Sequence, residues 1–456
     1  MARDKIVQTD EKLPIAQAIP LSLQHLMAMF GATVLVPILT GMDPGVGLMT
    51  SGIGTILYLI CTRNKIPSYL GSSFAFIGPL IAVGGGAAAI QGGTGHLPEA
   101  LGGLVAAGVV YMIVAGFVKV FGTGWINKLL PPALVGAVVI VIGLGLSATA
   151  VKMSLFPMSD PTKPVDLIGL MVAFITLASA VAFSSYFKGF LKTIPILMGI
   201  IVGYVISIPL GLVSFAGVAG AKWIGLPNVT FPKFDITAIA IIAPVAIVVI
   251  VEHIGHLLVI NEITGKDFTP MLPESLFGDG LATAISGALG GTPSTTYAEN
   301  IGVMAVTKVY ATQLFWYAGA FAFIIGGFVP KFGAAISSIP TPVMGGISLL
   351  LFGLIASSGL RLLVKSGIDY SHSRNLIMSS VVLVIGIGME TGGFAIPLGK
   401  YSIPGMALAT FIGIILNLIL PKESEGLAVD GPDFTADLQA ESVDGKRASR
   451  QGSLIN

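Results

Sequence analysis

The chain has 456 residues, 54% hydrophobic and only 10% charged, with a formal net charge of +1. Soluble domains carry roughly 25% charged residues, so this composition excludes an ordinary soluble protein and describes a chain that crosses a bilayer many times. The near-neutral balance is silent on nucleic acid, and the single cysteine, Cys61, excludes an internal disulfide framework or a cysteine-based zinc site.

Residues 1–14 form a polar arm without the apolar run of a cleavable signal peptide. Crossing a bilayer takes about 20 apolar residues. On that measure the chain divides into fourteen segments, at 16–40, 45–61, 68–86, 98–121, 129–150, 165–187, 193–213, 236–260, 275–291, 294–308, 312–332, 342–364, 374–391 and 403–421. The polar stretch 422–456 reads as a disordered tail. With this count, fourteen Lys and Arg fall on the side of the N-terminal arm and six on the opposite side, the tail excepted. That bias puts both termini in the cytosol.

Segment 1 carries Gln24 and His25 within "LSLQHLMAMFGATVLVP". Segment 3, "IPSYLGSSFAFIGPLIAVGGG", is rich in hydroxyl groups where a span should be apolar. "LPPALVG" in segment 5 is echoed by "IPTPVMG" in segment 12, and the Ile-Pro pair of segment 7 returns at the same offset in segment 14. Seven is odd, so a second half of seven spans would enter the membrane inverted, a common transporter architecture.

Segment 8 contains "VEHIGHLLVI". Glu252 and His256 are four apart and share a helical face. Ionisable groups at membrane depth cost several kcal/mol, about 2.5–3.5 on insertion scales, and usually serve a transport path. The pair is a candidate ligand and proton site; the bland alternative is a Glu–His bond that locks two helices. The spacing of "EHIGH" is not H-E-x-x-H and no third ligand follows, so it does not read as a metal site. No cofactor motif appears.

Segment 10, "TPSTTYAENIGVMAVTK", is the counterpart of segment 3, with Phe74 matching Tyr297. Pro293 blocks a continuous helix and the threonines favour extended backbone. Each of the two segments is therefore expected to be a short strand leading into a half-helix, with the strands pairing and the helix N-termini near Phe74 and Tyr297 offering free N–H groups. Glu299 stands two residues into the second half-helix, where it can compensate the helix dipole or accept ligand N–H groups. Gln24, His25 and Asn300 are expected to support the site from behind or simply to pack.

These motifs resemble the nucleobase/ascorbate transporters, over about Leu13 to Pro421, and within them the bacterial uracil permeases. The resemblance is carried by "SLQHLMAMFGATVLVP", "YLGSSFAF", "EHIGH" and "ENIGVMAVTK", with Asn300, Gly302, Thr307 and Lys308 in the last. Glu299 is similar to the uracil members, whereas purine members usually have another residue there; Ala298 departs from the glycine of uracil permeases and puts a methyl near the site.

The resemblance implies an all-α membrane protein of fourteen spans in a seven-plus-seven inverted repeat. Its core domain would comprise 15–128 and 216–333 (spans 1–4 and 8–11), its gate domain 129–215 and 334–421 (spans 5–7 and 12–14). It implies a proton-coupled uracil importer of the cytoplasmic membrane, embedded in lipid and dimeric through the gate. Glu252 and Glu299 would hold the base, Phe74 and Tyr297 flank it, the Tyr297–Ala298 backbone close it in, and His256 assist proton coupling together with Glu252. A purine permease for xanthine, urate or guanine is the nearest alternative, and a channel a more distant one.

Overall fold

The computed structural model describes residues 6–86, 89, 92–156 and 160–421; the expected disordered tail, 422–456, lies outside the described residues. The chain is mainly helical. In order the helices are α1 (Ile15–Thr40), α2 (Pro44–Cys61), α3 (Ile77–Gly84), α4 (Leu97–Phe121), α5 (Gly124–Leu129), α6 (Pro132–Gly145), α7 (Ser147–Leu155), α8 (Leu167–Ser185), α9 (Pro195–Ser207) and α10 (Ala216–Gly220). They continue as α11 (Ile236–Ile242), α12 (Val245–Thr264), α13 (Leu272–Ala288), α14 (Ala298–Thr307), α15 (Gln313–Phe328), α16 (Pro330–Ser337), α17 (Thr341–Lys365), α18 (Ser373–Gly392) and α19 (Gly405–Ile419). Among the described residues, four three-residue strands, β1 (Leu70–Ser72), β2 (Ser294–Thr296), β3 (Ile396–Leu398) and β4 (Tyr401–Ile403), make two antiparallel pairs.

Among the described residues, eight helical stretches are long and apolar enough to cross a membrane, with α6–α7 and α11–α12 each counted as one. The number is nine if α15 and α16, which meet at 85°, form one bent span. Several segments expected to be continuous are broken. Segment 8 divides at Ala243–Pro244, and segment 11 turns sharply at Pro330. The physical reason is shared: proline has no N–H for the helix ladder and its ring collides with the preceding turn.

Glycines set the closest helix contacts. On α4 and α13, a Cβ at Gly108 would lie 2.5 Å from both Gly280 O and Ala284 N. On α2 and α15, one at Gly52 would lie 2.4 Å from Gly319 O. In a bilayer, such small-residue faces let main chains approach and gain packing that water cannot supply by hydrophobic expulsion. α6 packs along α17 in the same manner, through Gly136, Gly143 and Gly359.

The polar N-terminal arm is anchored. Val7 bridges to Val309, its N–H donating to Lys308 O (3.0 Å) while Tyr310 N–H donates to Val7 O (2.8 Å). Lys266 Nζ donates to Thr9 Oγ1 and to Asp10 Oδ1, at 2.9 and 2.7 Å. That bond holds the Asp10 carboxyl below the usual carboxylate range. The arm thus straps the loops that follow α12 and α14, the helices carrying the two singled-out glutamates.

Candidate ligand site

Both broken segments contain the strands that their hydroxyl-rich sequences favour. β1 and β2 pair antiparallel, Leu70 opposite Thr296, Gly71 opposite Thr295 and Ser72 opposite Ser294, and all six residues are buried. The ladder extends one bond further at each end, from Ser73 N–H to Pro293 O (2.8 Å) and from Tyr297 N–H to Tyr69 O (3.1 Å). Main chain at membrane depth must find its partners within the protein. Here two segments more than two hundred residues apart satisfy each other.

Each strand turns directly into a helix, β1 through the 3-10 turn Phe74–Phe76 into α3, and β2 into α14. Among the described residues, no side chain caps either N-terminus. Because Tyr297 and Ser73 spend their N–H groups on the ladder, the unbonded donors begin one residue later than Tyr297 itself. By helix geometry the donors without an intrahelical partner are Phe74 and Ala75 on one side, and Ala298, Glu299 and Asn300 on the other, the Glu299 N–H lying against its own carboxylate.

α12 packs on β2, on α14 and on the Phe74 turn. It carries Glu252 and His256 one turn apart, and His256 Nδ1 lies 2.9 Å from Thr296 Oγ1. Phe74, Glu252, His256 and Glu299 are half-buried and Ala298 is exposed, although the strands between them are closed. The Phe74 ring meets Phe352 of α17 edge-on, with centroids 6.2 Å apart. The set offers carboxylate acceptors, backbone donors at two positive helix ends and an aromatic face: the chemistry that recognises a small flat ring bearing both N–H and C=O groups.

Other singled-out residues have different surroundings. The Tyr297 ring is buried, packed over Gly71, and its hydroxyl donates to Ser72 O (2.8 Å) while accepting from Thr33 Oγ1 (3.2 Å). Its side chain is therefore scaffold for β1. Gln24 Nε2 donates to Thr193 Oγ1 at 2.7 Å, just before α9. Asn300 Nδ2 donates to the carbonyl of His25 (3.0 Å) and lies 3.1 Å from its Nδ1, so α14 is bolted to α1.

Three groups escaped the sequence reading. Asp279 of α13 is a third carboxylate and, unlike Glu252 and Glu299, fully buried; its Oδ2 lies 2.9 Å from Nδ1 of His253, the histidine that had no assigned role. Ser275 lies between His253 and Tyr58. The signal for Asp279 was the one used for Glu252, a lone carboxylate in an apolar segment. Elsewhere, a cavity of about 780 Å³ opens beside Asp43, Asp166, Ser338 and Thr341. There Asp43 Oδ1 and Asp166 Oδ1 accept from the first N–H groups of α2 and α8 and so act as helix caps.

Residues 16–393 match the model of a family described as the permease family. The chain belongs to it. These are the nucleobase/ascorbate transporters that the motifs resemble, and the relatives are transporters rather than enzymes. The permease is 48% identical over 420 residues to the uracil permease of Paenibacillus larvae subsp. larvae, a match covering 91% of this chain and 97% of that one. To the uracil permease of Bacillus subtilis it is 47% identical, covering 89% and 92%, and to that of Escherichia coli 46%, covering 91% and 94%. Its fold is that of the transmembrane domain of the cyanobacterial bicarbonate transporter BicA (TM-score 0.62, 15% identity, 91% of this chain and 100% of that one). Murine Slc26a9, an anion transporter solved in the inward-facing state, is similar in fold (TM-score 0.65, 12% identity, 90% and 69%).

Proposed function

We propose that this permease imports uracil across the cytoplasmic membrane by proton-coupled symport. The observation that carries the reading is the pair of half-open carboxylates, Glu252 and Glu299, beside two uncapped helix N-termini, in a chain 46–48% identical to uracil permeases. Uracil is neutral and flat, with two N–H donors and two carbonyl acceptors. The carboxylates take the donors, the N–H groups of Phe74–Ala75 and Ala298–Asn300 take the carbonyls, and the Phe74 ring covers a face. His25 and Asn300 tie α1 to α14 behind it, and Gln24 ties α1 to Thr193.

The same reading makes the chain fourteen spans in two inverted halves, with spans 1–4 and 8–11 as a core moving against a gate of spans 5–7 and 12–14. The packing supports it. A twofold exchange of halves converts α2 on α15 into α13 on α4, and maps both β1–β2 and α6–α17 onto themselves; all four pairs are in contact. The bias of Lys and Arg supports cytosolic termini, and the exposed apolar faces of α8 and α18 suit lipid or a second copy joined through the gate.

Uptake of radiolabelled uracil into vesicles, with a pH gradient or a sodium gradient imposed separately and xanthine and adenine as competitors, tests the reading. Uptake that follows sodium alone, or a site that prefers xanthine, ends it.

Two substitutions address the roles. Glu299→Gln keeps size but turns an acceptor into a donor. Losing a charge-assisted bond costs about 1.5–3 kcal/mol, so uracil affinity should fall roughly ten- to hundredfold. An unchanged Kd would remove Glu299 from recognition. His256→Ala should retain uracil binding but lose accumulation driven by the pH gradient. The structure also gives His256 a bond to Thr296, so a purely orienting role predicts that binding and transport fall in parallel.

A further inference from the structure

Behind the positions assigned to uracil, four buried side chains form one file of hydrogen bonds. Asp279 Oδ2 is 2.9 Å from His253 Nδ1, His253 Nε2 is 2.7 Å from Ser275 Oγ, and Ser275 Oγ is 2.7 Å from the Tyr58 hydroxyl of α2. All four residues are at most 1% exposed. With a neutral imidazole, donation running one way satisfies every link: Tyr58 O–H to Ser275, Ser275 O–H to His253 Nε2, and His253 Nδ1–H to the Asp279 carboxylate. The other carboxylate oxygen, Asp279 Oδ1, has no hydrogen-bond partner among the described residues, and neither has the buried hydroxyl of Tyr111 on α4. A brace between α12 and α13 needs only the Ser275–His253 bond. A carboxylate with an orphaned oxygen adds desolvation cost to such a brace without adding cohesion.

We propose that the His253–Asp279 pair is a second protonation site of the permease, separate from the ligand-facing carboxylates, with Ser275 and Tyr58 as its conducting end. This rests on the proton-coupled reading above. A proton arriving at the Tyr58 oxygen releases the phenolic proton to Ser275 Oγ, and the serine passes its own proton to His253 Nε2. Each oxygen gains one proton and loses one. The product is an imidazolium held by the Asp279 carboxylate, and the reverse sequence discharges it.

The file runs from mid-α12 toward the end of α2 that bears Arg63 and Lys65, so it leads away from the ligand rather than through it. The titratable groups facing the pair are Glu252 and His256 on the same helix, Tyr58 and Cys61 from α2, and Tyr111 from α4. Charge placed on His253, the residue next to Glu252, acts on that carboxylate at short range in a medium that screens weakly. Proton uptake and ligand binding are thereby linked without sharing an atom.

The test uses full-length protein in proteoliposomes, comparing wild type with Asp279→Asn, Ser275→Ala and Tyr58→Phe. Three quantities are read: uracil binding, uracil counterflow without a gradient, and accumulation driven by a pH gradient with proton entry followed by an internal dye. In the variants, binding and counterflow should stay within about threefold of wild type, while gradient-driven accumulation and proton entry fall about a hundredfold or more, the scale on which positioned proton transfer acts. Tyr58→Phe and Ser275→Ala remove one hydroxyl each, so they decide the matter even if Asp279→Asn does not fold. Undiminished accumulation in variants that exchange normally overturns the proposal, as does a parallel fall of binding, counterflow and accumulation. A wild type that exchanges uracil but ignores the pH gradient overturns both this proposal and the symport reading; a wild type that responds isolates the fault to the file.

Discussion

Glu252→Ala should abolish measurable uracil binding in a protein that remains folded and monodisperse. Glu252 is half-buried on α12, and no protein hydrogen bond to its carboxylate is found among the described residues, so its acceptor capacity is open to a ligand. Two charge-assisted bonds to ring N–H groups would be lost, about 1.5–3 kcal/mol each, which weakens Kd by more than roughly a hundredfold. Removing a partnerless carboxylate from membrane depth also relieves a desolvation cost, so the melting temperature should hold or rise. Calorimetric titration and thermal unfolding on the same sample check both halves. Uracil binding at wild-type strength would dismiss Glu252 as a ligand, whatever the transport rate.

Gly71→Ala should disable the same site by displacing its scaffold. A Cβ at Gly71 would sit 2.5 Å from Tyr297 Cζ, 2.7 Å from its Cε2 and 2.8 Å from Thr33 Oγ1. The ring cannot retreat freely, because its hydroxyl is bonded to Ser72 O and Thr33. Overpacking of this kind costs about 1–3 kcal/mol, and here the strain falls on the residue at the entrance to α14. A lower melting temperature together with weakened uracil binding is expected, and Gly71→Ala with Tyr297→Leu should recover part of the stability. A Gly71→Ala protein that melts and binds like wild type would show that the crossing is looser than its geometry.

The breaks at segments 3 and 10 were legible because proline, glycine and β-branched threonine leave a local mark that no apolar span would carry. Glu252 and Glu299 were legible as charges where charge is costly. Side-chain direction was not. Whether the Tyr297 ring faces the ligand or β1 depends on the register of a pair whose members lie far apart in the chain, and alternation along a strand of three residues gives too few positions to set it. Gln24 beside His25 looks like one polar unit, yet successive residues of a helix point about 100° apart, and the two side chains reach Thr193 and Asn300 separately. Asp279 was readable in principle; its partner His253 was not, since α12 and α13 meet face to face only through tertiary packing.

The crossed strands also constrain how the molecule can be made. Ser72 and Tyr297, joined by a hydrogen bond, are 225 residues apart. At translation speeds of about 5–20 residues per second, β1 is synthesised roughly 10–45 s before its partner exists. During that interval its main-chain groups lack the partner they have in the folded protein, so the ladder between β1 and β2 cannot form as the first helices emerge. Closure of the β1–β2 crossing is therefore a late event, completed only once Ser294–Thr296 has been made, rather than part of a helix-by-helix deposition.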